Sequence, residues 1–180
     1  NNWRKEIFEH YKAPRKVQRE KSDFDWNNLF TILNNIRREL QETFPYKMVY
    51  IDHAEADDII ATYASLAENK KWSVPIVSSD KDLMQIVSNQ VKLIDTMKNK
   101  TIGPSEVIEK FGVTPEYVID VQALAGDSAD NVPGAPGIGV KTAAQLINDF
   151  GNLESLLDNC DNIKQQKRRE TIKGNKKNIL

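Results

Sequence analysis

Residues 74–95 read VPIVSSDKDLMQIVSNQVKLID, and this stretch decides the fold. Two β-branched apolar runs, Val74–Ser78 and Val91–Asp95, enclose a segment, Asp80–Val87, whose pattern starts a helix. β-branched residues suit a pleated surface, and such short runs between polar turns predict strands. A strand, a helix and a strand at this spacing place the two strands parallel in one sheet. Towards the N-terminus, Lys47–Ile51 (KMVYI) predicts a further buried strand. Glu55–Asn69 predicts the crossover helix, with Ile59, Ile60, Tyr63 and Leu66 facing inward.

Further out the chain is helical on both sides. WRKEIFEHY at 3–11 predicts a short helix, and the basic stretch 12–21 with Pro14 predicts a bent connection. Ser22 and Asp23 offer cap chemistry for a long helix to Thr43, with Leu29, Ile32, Leu33, Ile36 and Leu40 on one face. From Pro104 the expected helices are 104–111, 115–125, 139–149, 152–159 and 162–180. The fold class expected is α/β: a mostly parallel sheet with flanking helices over 1–103, then a helical region over 104–180.

The chain has 180 residues, 39% apolar and 28% charged, an ordinary balance for a globular domain. No apolar run approaches the roughly 20 residues that cross a bilayer, so no membrane association is expected. One cysteine, Cys160, excludes an internal disulfide and a cysteine-based zinc site. It fits a reducing compartment, and a cytoplasmic location is expected. The net charge of −1 hides an uneven distribution. Residues 1–21 carry seven Lys/Arg against three Glu, and 164–177 carry seven against Glu170. These basic ends are either anion-gripping surfaces or solvated helices. Trp3, Trp26 and Trp72 are expected as core or half-buried anchors.

Three acidic motifs lie between the basic ends: Glu55-Ala-Asp57-Asp58, Asp80-Lys-Asp82 and Asp127-Ser-Ala-Asp130. The first two follow expected strands, and ligands of open parallel sheets gather beyond the strands' carboxyl ends. Neighbouring carboxylates stay ionised only when a cation neutralises them. Oxygen-only ligands select hard ions such as Mg²⁺ or Mn²⁺, and a pair of such ions can drive phosphodiester hydrolysis. Each motif alone also reads as helix-dipole or turn chemistry. Lys81 stands inside the second motif, either reaching a phosphate or simply exposed.

Residues 131–142, NVPGAPGIGVKT, form a glycine-rich loop leading into a helix. Gly134, Gly137 and Gly139 let backbone N–H groups approach a phosphate, and the following helix start, with Lys141 and Thr142, favours an anion. Such contacts position a duplex without reading its sequence. Lys12 and Arg15, three positions apart near a helix end, are placed to neutralise a phosphate or to form a solvated turn.

Together these stretches resemble the 5′ nuclease (flap endonuclease) superfamily. EADDIIA, SSDKDLMQ, GDSADNVPG and GIGVKTA occur here in the order seen in the 5′-nuclease domain of bacterial DNA polymerase I. WRKEIFEHYKAPR, EKSDFDW and FPYKMVYIDHAEADD are similar to tailed-phage ribonuclease H. The resemblance implies a PIN-like fold with a helix–three-turn–helix element at about 123–150. It implies two Mg²⁺ ions, replaceable by Mn²⁺. Glu55, Asp57 and Asp80 match acids of the first site, Asp82, Asp127 and Asp130 those of the second, and Asp58 a neighbouring acid. Lys12 and Arg15 match the basic pair that grips the scissile phosphate. The glycine loop matches the duplex-holding element, which often binds K⁺.

The implied activity is 5′-to-3′ exonuclease and flap endonuclease cleavage of DNA or RNA–DNA hybrids, as in primer removal during replication in a bacterial cell or by its phage. The implied partners are DNA with a 5′ flap, nick or RNA primer, with a single-strand-binding protein or sliding clamp as further candidates and a monomeric state. The family also begins with an Asp-bearing strand and a further acid before the WRKEIFEHYK-like segment, which this sequence does not include. As a whole molecule it is therefore expected to cleave weakly and fold poorly, and as a fragment to belong to an active enzyme. Two other readings stay open: a non-catalytic duplex-binding module, and a metal-dependent hydrolase of small phosphate esters.

Overall fold

The computed structural model describes residues 2–179. They divide into two compact units: residues 1–59 with 129–131, and residues 60–128 with 132–180.

In the first unit, α1 is Arg4–Ile7, α2 Ala13–Glu20 and α3 Trp26–Thr43, followed by the start of α4, Ala56–Asn69. The basic stretch expected as a bend is thus helical. Pro14 falls in the first turn of α2, where its missing N–H costs nothing. Asp25, rather than Ser22 or Asp23, caps α3 by accepting from the Asn28 N–H. The expected apolar face of α3 is not buried: Ile32, Leu33 and Ile36 are each nearly half exposed. Lys47–Ile51 is not a strand. A strand needs a neighbour for its N–H and C=O groups, and the described residues supply none to this segment. Tyr11 is the one core-grade apolar side chain described in this unit.

The second unit holds the rest of the hydrophobic core. β1 (Val74–Val77) pairs in parallel with β2 (Val91–Asp95). β2 pairs antiparallel with β3 (Lys100–Ile102), so the sheet is mixed, in the order β1-β2-β3. The short β3 was not foreseen. Its turn is built by Asp95, whose buried carboxylate accepts from the Met97 and Lys98 N–H groups. Val91 and Leu93 point into the core on alternate residues. The expected helix at Asp80–Val87 is a 3-10 segment, Asp82–Ile86, which buries Leu83 and Met84.

The helical region contains α5 (Pro104–Phe111), α6 (Val118–Ala125), α7 (Val140–Phe150), α8 (Leu153–Asp158), α9 (Gln166–Gly174) and α10 (Lys176–Ile179). The expected helix 115–125 opens as a 3-10 turn, Pro115–Tyr117. The expected helix 162–180 starts only at Gln166 and is broken at Asn175, and its last residue lies outside the described residues. α6 and α7 bury Val118, Val121, Leu124, Ala143, Leu146 and Ile147. Burying one large aliphatic side chain is worth about 1.5–3 kcal/mol, so this pair anchors the region. In α4, Ala64 is buried but Tyr63 and Leu66 are about half exposed, against expectation. Trp3 and Trp72 are exposed rather than anchoring, and Trp26 is half-buried. No helix among the described residues is long and apolar enough to cross a membrane.

Candidate functional site

The turn between α1 and α2 organises the acids of the first unit. Lys12 has φ 56°, a left-handed conformation that a side-chain-bearing residue seldom adopts. Its N–H donates to the Asp130 carbonyl at 2.9 Å, and the Asn131 amide donates to the His10 carbonyl at 2.9 Å. Residues 129–131 are thereby fixed on the turn. Above this backbone frame, Lys12 Nζ lies 2.7 Å from Glu55 Oε1 and 3.7 Å from Asp130 Oδ2. The Tyr11 hydroxyl lies 3.0 Å from Glu55 Oε2 and 3.2 Å from Asp130 Oδ2, so one proton serves two carboxylates. Arg15 pairs with Asp130 and donates through Nε to the Ala129 carbonyl. Glu55 and Asp130, distant in the chain, thus meet on one basic turn.

Asp58 plays another part. Arg4 grips it with two hydrogen bonds, 2.9 and 2.7 Å, and its Oδ2 accepts from the Glu55 N–H at 2.9 Å. As the third residue of α4 it reaches back to the N–H just before the helix and so sets the backbone at Glu55. The Arg4 hydrogen bonds hold its carboxyl well below the usual carboxylate range. Asp57 is half-buried in the same first turn.

Charge balance around the turn is set by competing causes. Burial pushes the Glu55 carboxyl upward, but hydrogen bonds from Lys12 and Tyr11 and the nearby charges of Lys12 and Arg4 bring it below its usual value. Burial likewise works against the Lys12 ammonium, and its bonds to Glu55 and Tyr11 outweigh that. Tyr11 is pushed up to about 12, first by burial, so it remains a hydroxyl donor at neutral pH.

In the second unit, Asp80 and Asp82 follow the carboxyl end of β1. Ser78 Oγ accepts from the Asp80 N–H, and Asp80 Oδ1 accepts from the Asp82 N–H, both at 3.0 Å. Gln122 donates to Asp82 Oδ1 at 2.6 Å. Lys81 Nζ lies 2.6 Å from Asp127 Oδ2. Its pKa is raised first by that hydrogen bond, with Asp82 and Asp80 adding Coulomb attraction.

The loop leaving Asp127 is held by a tight crossing. Asp127 and Val132 exchange backbone hydrogen bonds at 2.9 and 2.8 Å. A Cβ on Gly134 would lie 2.3 Å from Gly126 N and 2.6 Å from Leu124 O, so only glycine fits. Gly137, with φ +75°, and Gly139 are different: a Cβ at either meets nothing within 4 Å. Gly139 caps α7 without a side-chain partner, which leaves the first N–H groups of α7 facing outward with Lys141 and Thr142 beside them.

Among the described residues, no group of three or more His, Cys, Asp or Glu side chains is gathered to hold one metal ion. The acids are instead held by cations: Glu55 by Lys12, Asp58 by Arg4, Asp130 by Arg15 and Asp127 by Lys81. The donor chemistry still fits a hard divalent ion, since every acid offers carboxylate oxygen. Tyr11, Arg4 and Gln122 were missed by the sequence reading. The EHYKAPR segment contains Tyr11, but only a structure shows which phenol points at an acid.

The chain matches two family descriptions end to end. Residues 1–112 match the N-terminal resolvase-like domain of the 5′-3′ exonucleases, and residues 113–180 match their C-terminal SAM fold. The chain belongs to the 5′-3′ exonuclease family. Among its relatives, DNA polymerase I of Rhizobium leguminosarum is 50% identical over 173 residues, covering 96% of this chain and 16% of that protein. The 5′-3′ exonuclease of Buchnera aphidicola is 38% identical over 162 residues, covering 90% of this chain and 54% of that one. The chain therefore spans about half, or much less, of these relatives. In fold it is similar to the T5 D15 protein crystallised with metal ions, with TM-score 0.87, 24% identity, and coverage of 98% of this chain and 67% of that one. The catalytic core of Rad2 in complex with DNA substrate is a more distant likeness, with TM-score 0.53, 18% identity, and coverage of 94% and 56%.

Proposed function

We propose that this chain is the acid-bearing and DNA-gripping part of a divalent-metal-dependent 5′-to-3′ exonuclease and flap endonuclease. The observation that supports the reading is the turn at Tyr11–Arg15, where Lys12 and Arg15 pair with Glu55 and Asp130, two acids of the motifs that resemble the family's. Glu55, Asp57, Asp80, Asp82, Asp127 and Asp130 are the carboxylates we assign to two Mg²⁺ ions, with Mn²⁺ able to substitute. The ions supply a nucleophilic water and charge neutralisation at the leaving oxygen. Asp58, tied to Arg4, orients the start of α4 behind Glu55. Tyr11 donates its hydroxyl towards both Glu55 and Asp130 and holds them together. Lys12 and Arg15 neutralise the scissile phosphate once released from those acids. The backbone at Gly134, Gly137 and Gly139 and the start of α7, with Lys141 and Thr142, grips the duplex phosphates, and K⁺ can join at this loop.

The substrates we assign are 5′-flapped, nicked or RNA-primed DNA, acted on by a monomer during bacterial replication or repair. The test is cleavage of a 5′-flap substrate by the full-length protein that carries this chain. Cleavage requires Mg²⁺ and is lost in Asp80→Ala and Asp127→Ala. Equal cleavage in excess EDTA would overturn the proposal. Salt-sensitive duplex binding without any cleavage would identify a non-catalytic binding module instead.

A further inference from the structure

We infer that Lys110, near the end of α5, holds a backbone phosphate of the DNA strand that runs from the start of α7 towards the acids following β1. The inference rests on the DNA-cleaving reading above and adds to it a cation outside every motif that suggested that reading. The end of α5 and the outward face of α7 border a groove of about 410 Å³, lined by Glu109, Lys110, Lys141, Gln145, Asn148 and Asp149 among others. The two helices are fixed to each other beneath it. A Cβ on Gly112 would lie 3.1 Å from Ala144 Cβ, and the Asn148 amide donates to the Gly112 carbonyl at 2.9 Å. Lys110 thus shares one groove with Lys141, a residue assigned above to the duplex grip. It also lies within electrostatic reach of the acid edge of the sheet. β1 and β2 are parallel, so the turn after β2, with Lys98, stands at the same edge as Asp80 and Asp82. Lys110 feels the charges of Lys98 and Lys81 and, in the opposite sense, those of Asp82 and Asp80.

The neighbouring cations are already committed: Lys81 to Asp127, Lys98 to Asp95 and Lys100 to Glu109. Lys110 is different. Among the described residues it pairs with no carboxylate, and its ammonium lies 5.6 Å from the centre of the Phe111 ring. Burial, then the charges of Lys98 and Lys81, lower its pKa, so its surroundings disfavour its charge. Such a cation gains from an incoming anion without first breaking an ion pair. A nucleic-acid backbone supplies anions in a row, and contacts to it fix position without reading sequence. Asp149 is the one acid of the groove not engaged by a lysine among the described residues, and it stands two turns along α7 from Lys141.

Binding of a 5′-flapped duplex to the full-length protein that carries this chain is followed by fluorescence anisotropy in EDTA over a range of salt. The variants are Lys110→Gln, Lys110→Arg and Lys71→Gln. Lys71 is exposed just before β1, at the opposite edge of the sheet, and its variant removes the same charge. Lys110→Gln is expected to weaken binding about fivefold to tenfold and to lower the slope of log affinity against log salt by about 1. Lys110→Arg keeps both, and Lys71→Gln leaves both unchanged. The thermal midpoint of Lys110→Gln without DNA stays level or rises, because the lost charge was disfavoured in the fold. A merely structural lysine predicts a lower midpoint together with weaker binding, and that result overturns the inference. Equal affinity and salt slope in Lys110→Gln and Lys71→Gln also overturn it, while binding and Mg²⁺-dependent cleavage by the unmodified protein keep the nuclease reading intact. No flap binding by the unmodified protein overturns both. Lys110→Met replaces the glutamine variant should that one fail to fold, with the same outcomes.

Discussion

Tyr11 is 7% exposed and spends its single proton on two carboxylates. Hydrogen bonds to charged acceptors contribute about 1.5–3 kcal/mol, more than neutral ones. Tyr11→Phe removes the donor and leaves the ring's packing intact. It is expected to lower unfolding stability by about 1–3 kcal/mol in urea titration. The loss should be greatest where Glu55 is ionised and should shrink once acid protonates it. Unchanged stability at neutral pH would show that Lys12 alone suffices for the pair.

At the scale of elements, the loop between α6 and α7 does two jobs with the same residue type. Gly134 sits where two backbones cross, and a Cβ there has nowhere to go. Gly134→Ala is expected to cost about 2–3 kcal/mol by forcing the crossing apart and to disturb Asp127 with it. Gly139→Ala meets open space, so its folding cost is expected to be only that of a poorer helix cap, about 0.5–1 kcal/mol. Its effect should fall on duplex binding, where the added methyl stands between the backbone and a phosphate. Parallel urea unfolding and duplex-binding measurements separate the two, and equal stability losses would refute the distinction. Lys47–Ile51 and α3 teach a different lesson. Their residue types favour a strand and an amphipathic helix, yet the segment stays irregular and the helix face half-exposed. Propensity selects an element only when a neighbour accepts its hydrogen bonds or apolar face.

Across the whole molecule, charge is balanced by pairs rather than by net excess. Glu55 and Asp58 both sit below their usual carboxylate values in the folded chain. Their contribution to stability is present above about pH 4.5, the upper end of the unfolded range, and is lost as pH falls through the lower folded values. The thermal midpoint is therefore expected to drop below about pH 4, earlier than general acid unfolding. Arg4→Met should flatten that dependence, since Asp58 then titrates nearer its ordinary range. A pH profile identical in the two proteins would exclude the Arg4–Asp58 pair as its source.

The sequence alone determined the parallel pairing of Val74–Val77 with Val91–Asp95, helices α5 and α7 and the family, because these depend on local pattern and on motifs that occur in order. It also named Glu55, Asp127, Lys12 and Arg15 as residues of interest. Tertiary structure alone decided what each of them touches. Pairing Glu55 with Asp130 needed a left-handed Lys12 and a shared Tyr11 proton, and pairing Asp127 with Lys81 needed a lysine to cross from another loop. Such contacts join positions far apart in the chain, and no periodicity in the sequence encodes them. Burial was decided the same way: an apolar stripe is written into a helix locally, but whether it is covered depends on what folds against it.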